Sequence, residues 1–149
     1  MSRSLLRHAL FALPLAGALV AAVAAPAAAG PLAGAVGDKP YTLTLNKVSA
    51  QKGQPATATV LIKPAAGYHI NKDFPTTLKL TPPADVKLDK AQLAKEDATL
   101  SEKEGSFQVK LTASAAGSKK IPGELRFAVC TDTTCDPQKT AVTLEVEVK

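Results

Sequence analysis

Cys130 and Cys135 are the only two cysteines in the chain, separated by Thr131-Asp132-Thr133-Thr134. Two thiols this close can form a disulfide, and a disulfide has two uses. It can staple a local turn, or it can open and re-form by thiolate attack on sulfur, moving two electrons between proteins. Metal binding is the other chemistry open to thiolates, and it needs several converging ligands. His69 is the only histidine beyond residue 30, and no methionine lies there. Copper or zinc handling is therefore not expected, and no cofactor is. His69 reads as a structural residue after the Gly67-Tyr68 step, with proton transfer near a thiol as its functional alternative. The chain has no Gly-x-Ser-x-Gly elbow and no phosphate-cradling glycine loop, so hydrolase and nucleotide chemistry lack support.

The sulfurs must be positioned by strands, because the surrounding sequence alternates with period two. Tyr41, Leu43 and Leu45 alternate with polar residues, as do Phe107, Val109 and Leu111, and Leu125, Phe127 and Val129. Ala58, Val60 and Ile62 form another such set, and Val142, Leu144, Val146 and Val148 the last. Successive side chains on a strand face opposite ways, so each segment offers one face to a core and one to water. Shorter strands are expected at 78–81 and 86–88, and one short helical turn at 90–95. Gly and Pro punctuate the gaps, including Pro82-Pro83, Ala116-Gly117-Ser118 and Pro122-Gly123. The Lys/Glu-rich stretch 95–104 reads as a solvated loop. About seven short strands at this spacing imply an all-β, immunoglobulin-like antiparallel β-sandwich.

If Cys130 opposes Cys135 across a hairpin, Leu125 opposes Thr140 and Ile121 opposes Leu144. Core-facing odd residues before the turn then meet core-facing even residues after it. Directly opposed residues lie about 4.5–5.5 Å apart, a spacing a disulfide spans, with Pro137 as the candidate site of a bulge. Such a bond cannot be the cross-core disulfide of an ordinary immunoglobulin domain. The same parity places Cys130 away from the core beside Arg126 and Ala128, where it is expected to be accessible. As a staple, so short a ring contributes roughly 2 kcal/mol. Asp132 and Asp136 disfavour a thiolate, and Arg126 and Lys139 are the nearby positive charges. Staple and switch both remain open on these residues.

The N-terminus sets the compartment. Arg3 and Arg7 precede a short apolar run interrupted by Pro14, and Ala27-Ala28-Ala29 offers a small-residue cleavage site before Gly30. This is the layout of a secretory signal peptide at 1–29, too short and too rich in alanine and glycine for a comfortable membrane span. A Gly/Ala-rich leader at 30–39 and one domain at 40–149 are expected, periplasmic or secreted, with no stable membrane insertion after cleavage. Without Arg3 and Arg7, the 18 basic residues and 13 acids leave a net charge of +3. Arg126 is then the only arginine, and neither clustered basic residues nor stacking aromatics point to nucleic acid.

Two motifs carry a family resemblance. One is the step Gly67-Tyr68-His69-Ile70-Asn71, followed by a Pro-rich segment. The other is Phe127…Cys130…Cys135-Asp136-Pro137, leading into the last strand. Over about residues 40–148 the chain resembles the N-terminal periplasmic domain of the DsbD family of thiol:disulfide interchange proteins. The resemblance implies an immunoglobulin-like domain that passes reducing equivalents between protein thiol and disulfide partners. It implies Cys135 as the exchanging sulfur and Cys130 as its resolving mate, with Tyr68, His69, Phe127 and Pro137 as supporting residues. Electrons would come from a separate membrane thiol relay or thioredoxin-like protein. Members of the family shield the cysteines with an aromatic cap loop, whereas the matching stretch 95–105 holds no aromatic. The alternative is a non-enzymatic extracytoplasmic binding or assembly sandwich with a structural hairpin disulfide.

Overall fold

The computed structural model describes residues 39–149. The expected signal peptide and all but the last residue of the expected leader lie outside the described residues. Among the described residues, eleven strands form two sheets. The first runs β1 (Tyr41–Leu45), β3 (Pro55–Pro64), β9 (Gly105–Ala113) and β6 (Val86–Leu88), with β8 (Ala98–Leu100) also paired to β9. The second runs β2 (Val48–Ala50), β11 (Cys135–Val148), β10 (Gly117–Cys130), β5 (Thr77–Leu80) and β7 (Gln92–Ala94). The short β4 (His69–Ile70) pairs with the distal end of β10. Every pairing is antiparallel except β2 with β11. This is the immunoglobulin-like β-sandwich that the alternation requires.

The core follows from that alternation. Val60, Ile62, Phe107, Val109 and Leu111 of the first sheet, and Leu78, Ile121, Leu125, Phe127 and Leu144 of the second, are buried in one cluster. Burying each such side chain contributes roughly 1.5–3 kcal/mol, so these residues dominate the stability of the sheets. Phe127 and Tyr41 meet in a T-shaped contact, 4.7 Å between ring centres and 85° between planes, joining the two sheets. Tyr68, by contrast, lies outside the core and is 38% exposed.

Three expectations change. The stretch 90–95 is not a helical turn but β7, which sends Leu93 into the core opposite Leu78, followed by a single 3-10 turn at Lys95–Asp97. The Asp97 carboxylate ties this corner by accepting from the Ala94 N–H and from Lys90. Within the stretch read as a solvated loop, Ala98 and Leu100 are half-buried in β8 around exposed Thr99, a brief alternation hidden among lysines and glutamates. Pro122-Gly123 does not break the chain but lies inside β10. There the Pro122 carbonyl accepts from the Thr81 N–H at 2.8 Å, one residue past the end of β5, so the missing Pro122 N–H falls where the β5 pairing has ended.

Gly123 is required by close approach. A Cβ there would sit 2.5 Å from the Lys79 carbonyl oxygen and 2.6 Å from Leu80 Cδ2. Gly123→Ala is expected to destabilise the domain by about 1–3 kcal/mol, read as a lower urea midpoint with unchanged slope. Acid stability follows from three carboxylates held by basic partners. Hydrogen bonding from Lys119 holds the Asp85 carboxyl below its ordinary 3.8. Lys90, then the Ala94 N–H, do the same for Asp97, and Lys139, then Arg126, for Glu124. A carboxyl lowered in the folded state adds stability above its unfolded value and loses it as pH falls through the folded value. The melting temperature is therefore expected to drop as pH falls below about 4, and Asp85→Asn to make that drop shallower.

Candidate functional site

The hairpin tip is built by the long pairing of β10 with β11. Its register runs unbroken from Gly117 opposite Val148, through Ile121–Leu144 and Leu125–Thr140, to Cys130 opposite Cys135. The Thr131 N–H donates to the Thr134 carbonyl at 2.8 Å, and Thr131 Oγ1 accepts from the Thr134 N–H at 3.1 Å, so one threonine ties the turn. That closure makes Cys130 and Cys135 a non-hydrogen-bonded pair, where opposed side chains stand closest. They form a disulfide with Cα atoms 4.0 Å apart. Pro137 introduces no bulge. Counting pairs from the turn puts it opposite Ala128 in another non-hydrogen-bonded pair, so its missing N–H faces away from β10.

The two sulfurs are unequal. Cys135 is exposed, but Cys130 is only 3% exposed, contrary to the accessibility expected of it. Parity places Cys130 on the outer face, as expected, yet that face is covered at this end of β10. β4 pairs beside it, with His69 opposite Cys130 and Ile70 opposite Val129, and the Asn71 N–H donates to the Ala128 carbonyl at 3.0 Å. The covering segment is distant in sequence, which is why local parity could not foresee it.

A shallow cleft of about 220 Å³ borders the disulfide, lined by His69, the turn from Asn71 to Asp73, and Glu102. Asn71 shapes one wall. Its Oδ1 accepts from the N–H groups of Asp73 at 2.9 Å and Phe74 at 3.2 Å, and its Nδ2 points to Cys135 Sγ at 3.7 Å. The opposite wall comes from the first sheet. The Ser101 N–H donates to the Glu104 carbonyl at 2.8 Å, and the Glu102 carbonyl in that turn accepts from the Ile70 N–H at 2.8 Å. Lys72 Nζ lies 3.4 Å from Glu102 Oε1, joining the two turns. The stretch 95–105 thus reaches the cleft through Glu102, a charged residue.

The expected site residues divide. His69 lines the cleft and is half-buried. Phe127 is wholly buried on the core side of β10, so it braces the strand and does not touch the sulfurs. Tyr68 does not line the cleft, and exposed Pro137 stays within the β11 register. Arg126 and Lys139 both pair with Glu124, at 2.9 Å each, so neither offers a free positive charge. Asn71, which the sequence marks only as part of the Gly67–Asn71 step, is the residue whose side chain meets Cys135. Its place before Lys72-Asp73-Phe74-Pro75 signals a side-chain-capped turn, but nothing local signals that its amide meets Cys135. Among the described residues, no group of three or more His, Cys, Asp or Glu could hold a metal ion. No helix among them is long and apolar enough to cross a membrane.

No protein-family model matches the chain, and no curated protein does. Solved structures with partial likeness include domains 4 and 5 of the S-layer protein SbsC, at 21% identity and TM-score 0.38, covering 72% of this chain. The chain spans 50% of that structure. AggA, the major subunit of aggregative adherence fimbriae type I from Escherichia coli, matches at 9% identity and TM-score 0.39, over 74% of this chain and 97% of its own. Murine CRIg matches at 11% identity and TM-score 0.37, over 73% and 98%. Likenesses this distant say nothing of chemistry; the β-sandwich and its hairpin disulfide stand on the strands and sulfurs described above.

Proposed function

We propose that this chain is an exported β-sandwich whose hairpin disulfide exchanges with the thiols of protein partners, in the manner of the DsbD N-terminal domains it resembles. The observation that supports this reading is the asymmetry of the pair: both cysteines border one cleft, with Cys135 exposed and Cys130 buried. In the oxidised domain, a partner thiolate attacks Cys135 Sγ. The bond to Cys130 breaks, and Cys130 leaves as a thiolate that takes up a proton. A second partner thiol, on losing its proton, attacks the mixed disulfide and releases Cys135. The partner is left oxidised, and the domain holds two electrons as a dithiol. Run in reverse, the same steps deliver those electrons to a disulfide-bearing partner. A separate membrane thiol relay or thioredoxin-like protein would be the source.

The second reading asks for less and is the one the fold alone favours. A disulfide that closes the tip of a hairpin of fourteen opposed pairs needs no exchange to account for it. In that reading the domain is a non-enzymatic binding or assembly module, and the bond is a staple of roughly 2 kcal/mol.

The two part on reduction potential, since structural disulfides lie below about −300 mV and exchanging ones higher. Equilibration in glutathione buffers is expected to leave a measurable fraction of free thiol, and Cys130→Ser to trap an adduct on Cys135. A pair that stays oxidised throughout, with no adduct, means a staple. In the fully reduced protein, alkylation is expected to reach Cys135 before Cys130, as read by mass spectrometry.

A further inference from the structure

Beside the disulfide stands a side chain whose hydrogen-bonding groups are committed around one sulfur. Asn71 is anchored to β10 through its N–H on the Ala128 carbonyl. Its Oδ1 is taken by two backbone donors, Asp73 N–H and Phe74 N–H. An amide carries its acceptor and donors on opposite prongs, so this fixes which prong faces the sulfur. The reverse orientation would set Nδ2 against two N–H groups. Nδ2 therefore faces Cys135 Sγ, at 3.7 Å, in the one side-chain hydrogen bond to either sulfur among the described residues.

A disulfide sulfur is a weak acceptor, and in the oxidised protein this bond contributes little. Reduction changes that. A Cys135 thiolate presents a full negative charge to the same donor, and charge-assisted hydrogen bonds are shorter and roughly twice as strong as neutral ones. The charged groups nearby do not supply this stabilisation. Lys72 is engaged by Glu102, and Arg126 and Lys139 by Glu124. Asp73 at the cleft, with Asp132 and Asp136 on the hairpin, opposes a thiolate. His69 also lines the cleft, with no hydrogen bond to either sulfur. We infer that Asn71 is the residue that makes Cys135 the attacking sulfur: its amide, locked by the turn, donates to the Cys135 thiolate and favours it over the thiol. The use of that thiolate rests on the exchange reading above; the sulfur chemistry itself can be measured without any partner.

Asn71→Asp is the sharpest test, because a carboxylate keeps both acceptor bonds of the turn, removes the donor and sets negative charge against the sulfur. The full chain is reduced with a phosphine, and alkylation of Cys135 by iodoacetamide is followed peptide by peptide across pH. The expected result is a Cys135 titration midpoint raised by roughly one pH unit or more, with alkylation near neutral pH slowed about tenfold. Asn71→Ser, whose hydroxyl can cap the turn but is too short to reach the sulfur, is expected to move the midpoint the same way by less. It serves if the aspartate variant does not fold, and matching melting temperatures of the oxidised proteins establish that each variant is intact. An unchanged Cys135 midpoint in the folded variants overturns the inference. If the midpoint moves but glutathione never opens the wild-type disulfide, the inference stands and the exchange reading falls. If glutathione opens the disulfide but the midpoint does not move, the exchange reading stands and Asn71 is only a turn former.

Discussion

The pairing of β10 with β11 is the constraint from which the rest of the structure follows. Fourteen opposed pairs run from Gly117–Val148 to Cys130–Cys135, and a slip of one residue would turn every core side chain of one strand toward water. Ile121, Leu125 and Phe127 on one strand, and Val142, Leu144 and Val146 on the other, hold the register through burial. The disulfide is its terminal consequence. At roughly 2 kcal/mol it contributes less than two or three of those buried side chains, so the hairpin places the sulfurs far more than the sulfurs place the hairpin.

The tip of that hairpin would stand bare if the sandwich ended with it. It does not, because β4 adds to β10 and draws the Asn71–Asp73 turn against the pair, and the 101–104 turn of the other sheet binds β4 through the Glu102 carbonyl. Both sheets thus contribute to one shallow cleft, and its walls are polar. An aromatic cap would exclude water from the sulfurs. Here an amide and a Lys72–Glu102 ion pair occupy that place and leave Cys135 wetted while Cys130 stays covered. That asymmetry is what the proposed exchange would use, with the Asn71 amide the one side-chain donor aimed at Cys135 among the described residues.

Much of this was legible in the residues. Period-two alternation marks β1, β3, β9, β10 and β11, and opposing Cys130 with Cys135 reproduces the whole β10–β11 register from one assumed pair. The failures share a cause. β7 buries one side chain and β8 half-buries two, so their alternation is too brief to rise above the lysines and glutamates around them. Pro122-Gly123 reads as a break because its compatibility with a strand depends on where β5 stops. Pro137 reads as a bulge because its harmlessness depends on which edge its nitrogen faces.

The sequence by itself determined the sandwich, the hairpin and the closeness of the two sulfurs, because strand periodicity and local loop length are properties of neighbouring residues. Only the tertiary structure decided which sulfur is reachable and what touches it. Cys130 and Cys135 lie on the same face of the same hairpin, and their difference comes from segments about thirty to sixty residues earlier in the chain. Solvent exposure, and the donor aimed at Cys135, are set by what packs against a strand, and no pattern within the strand records that.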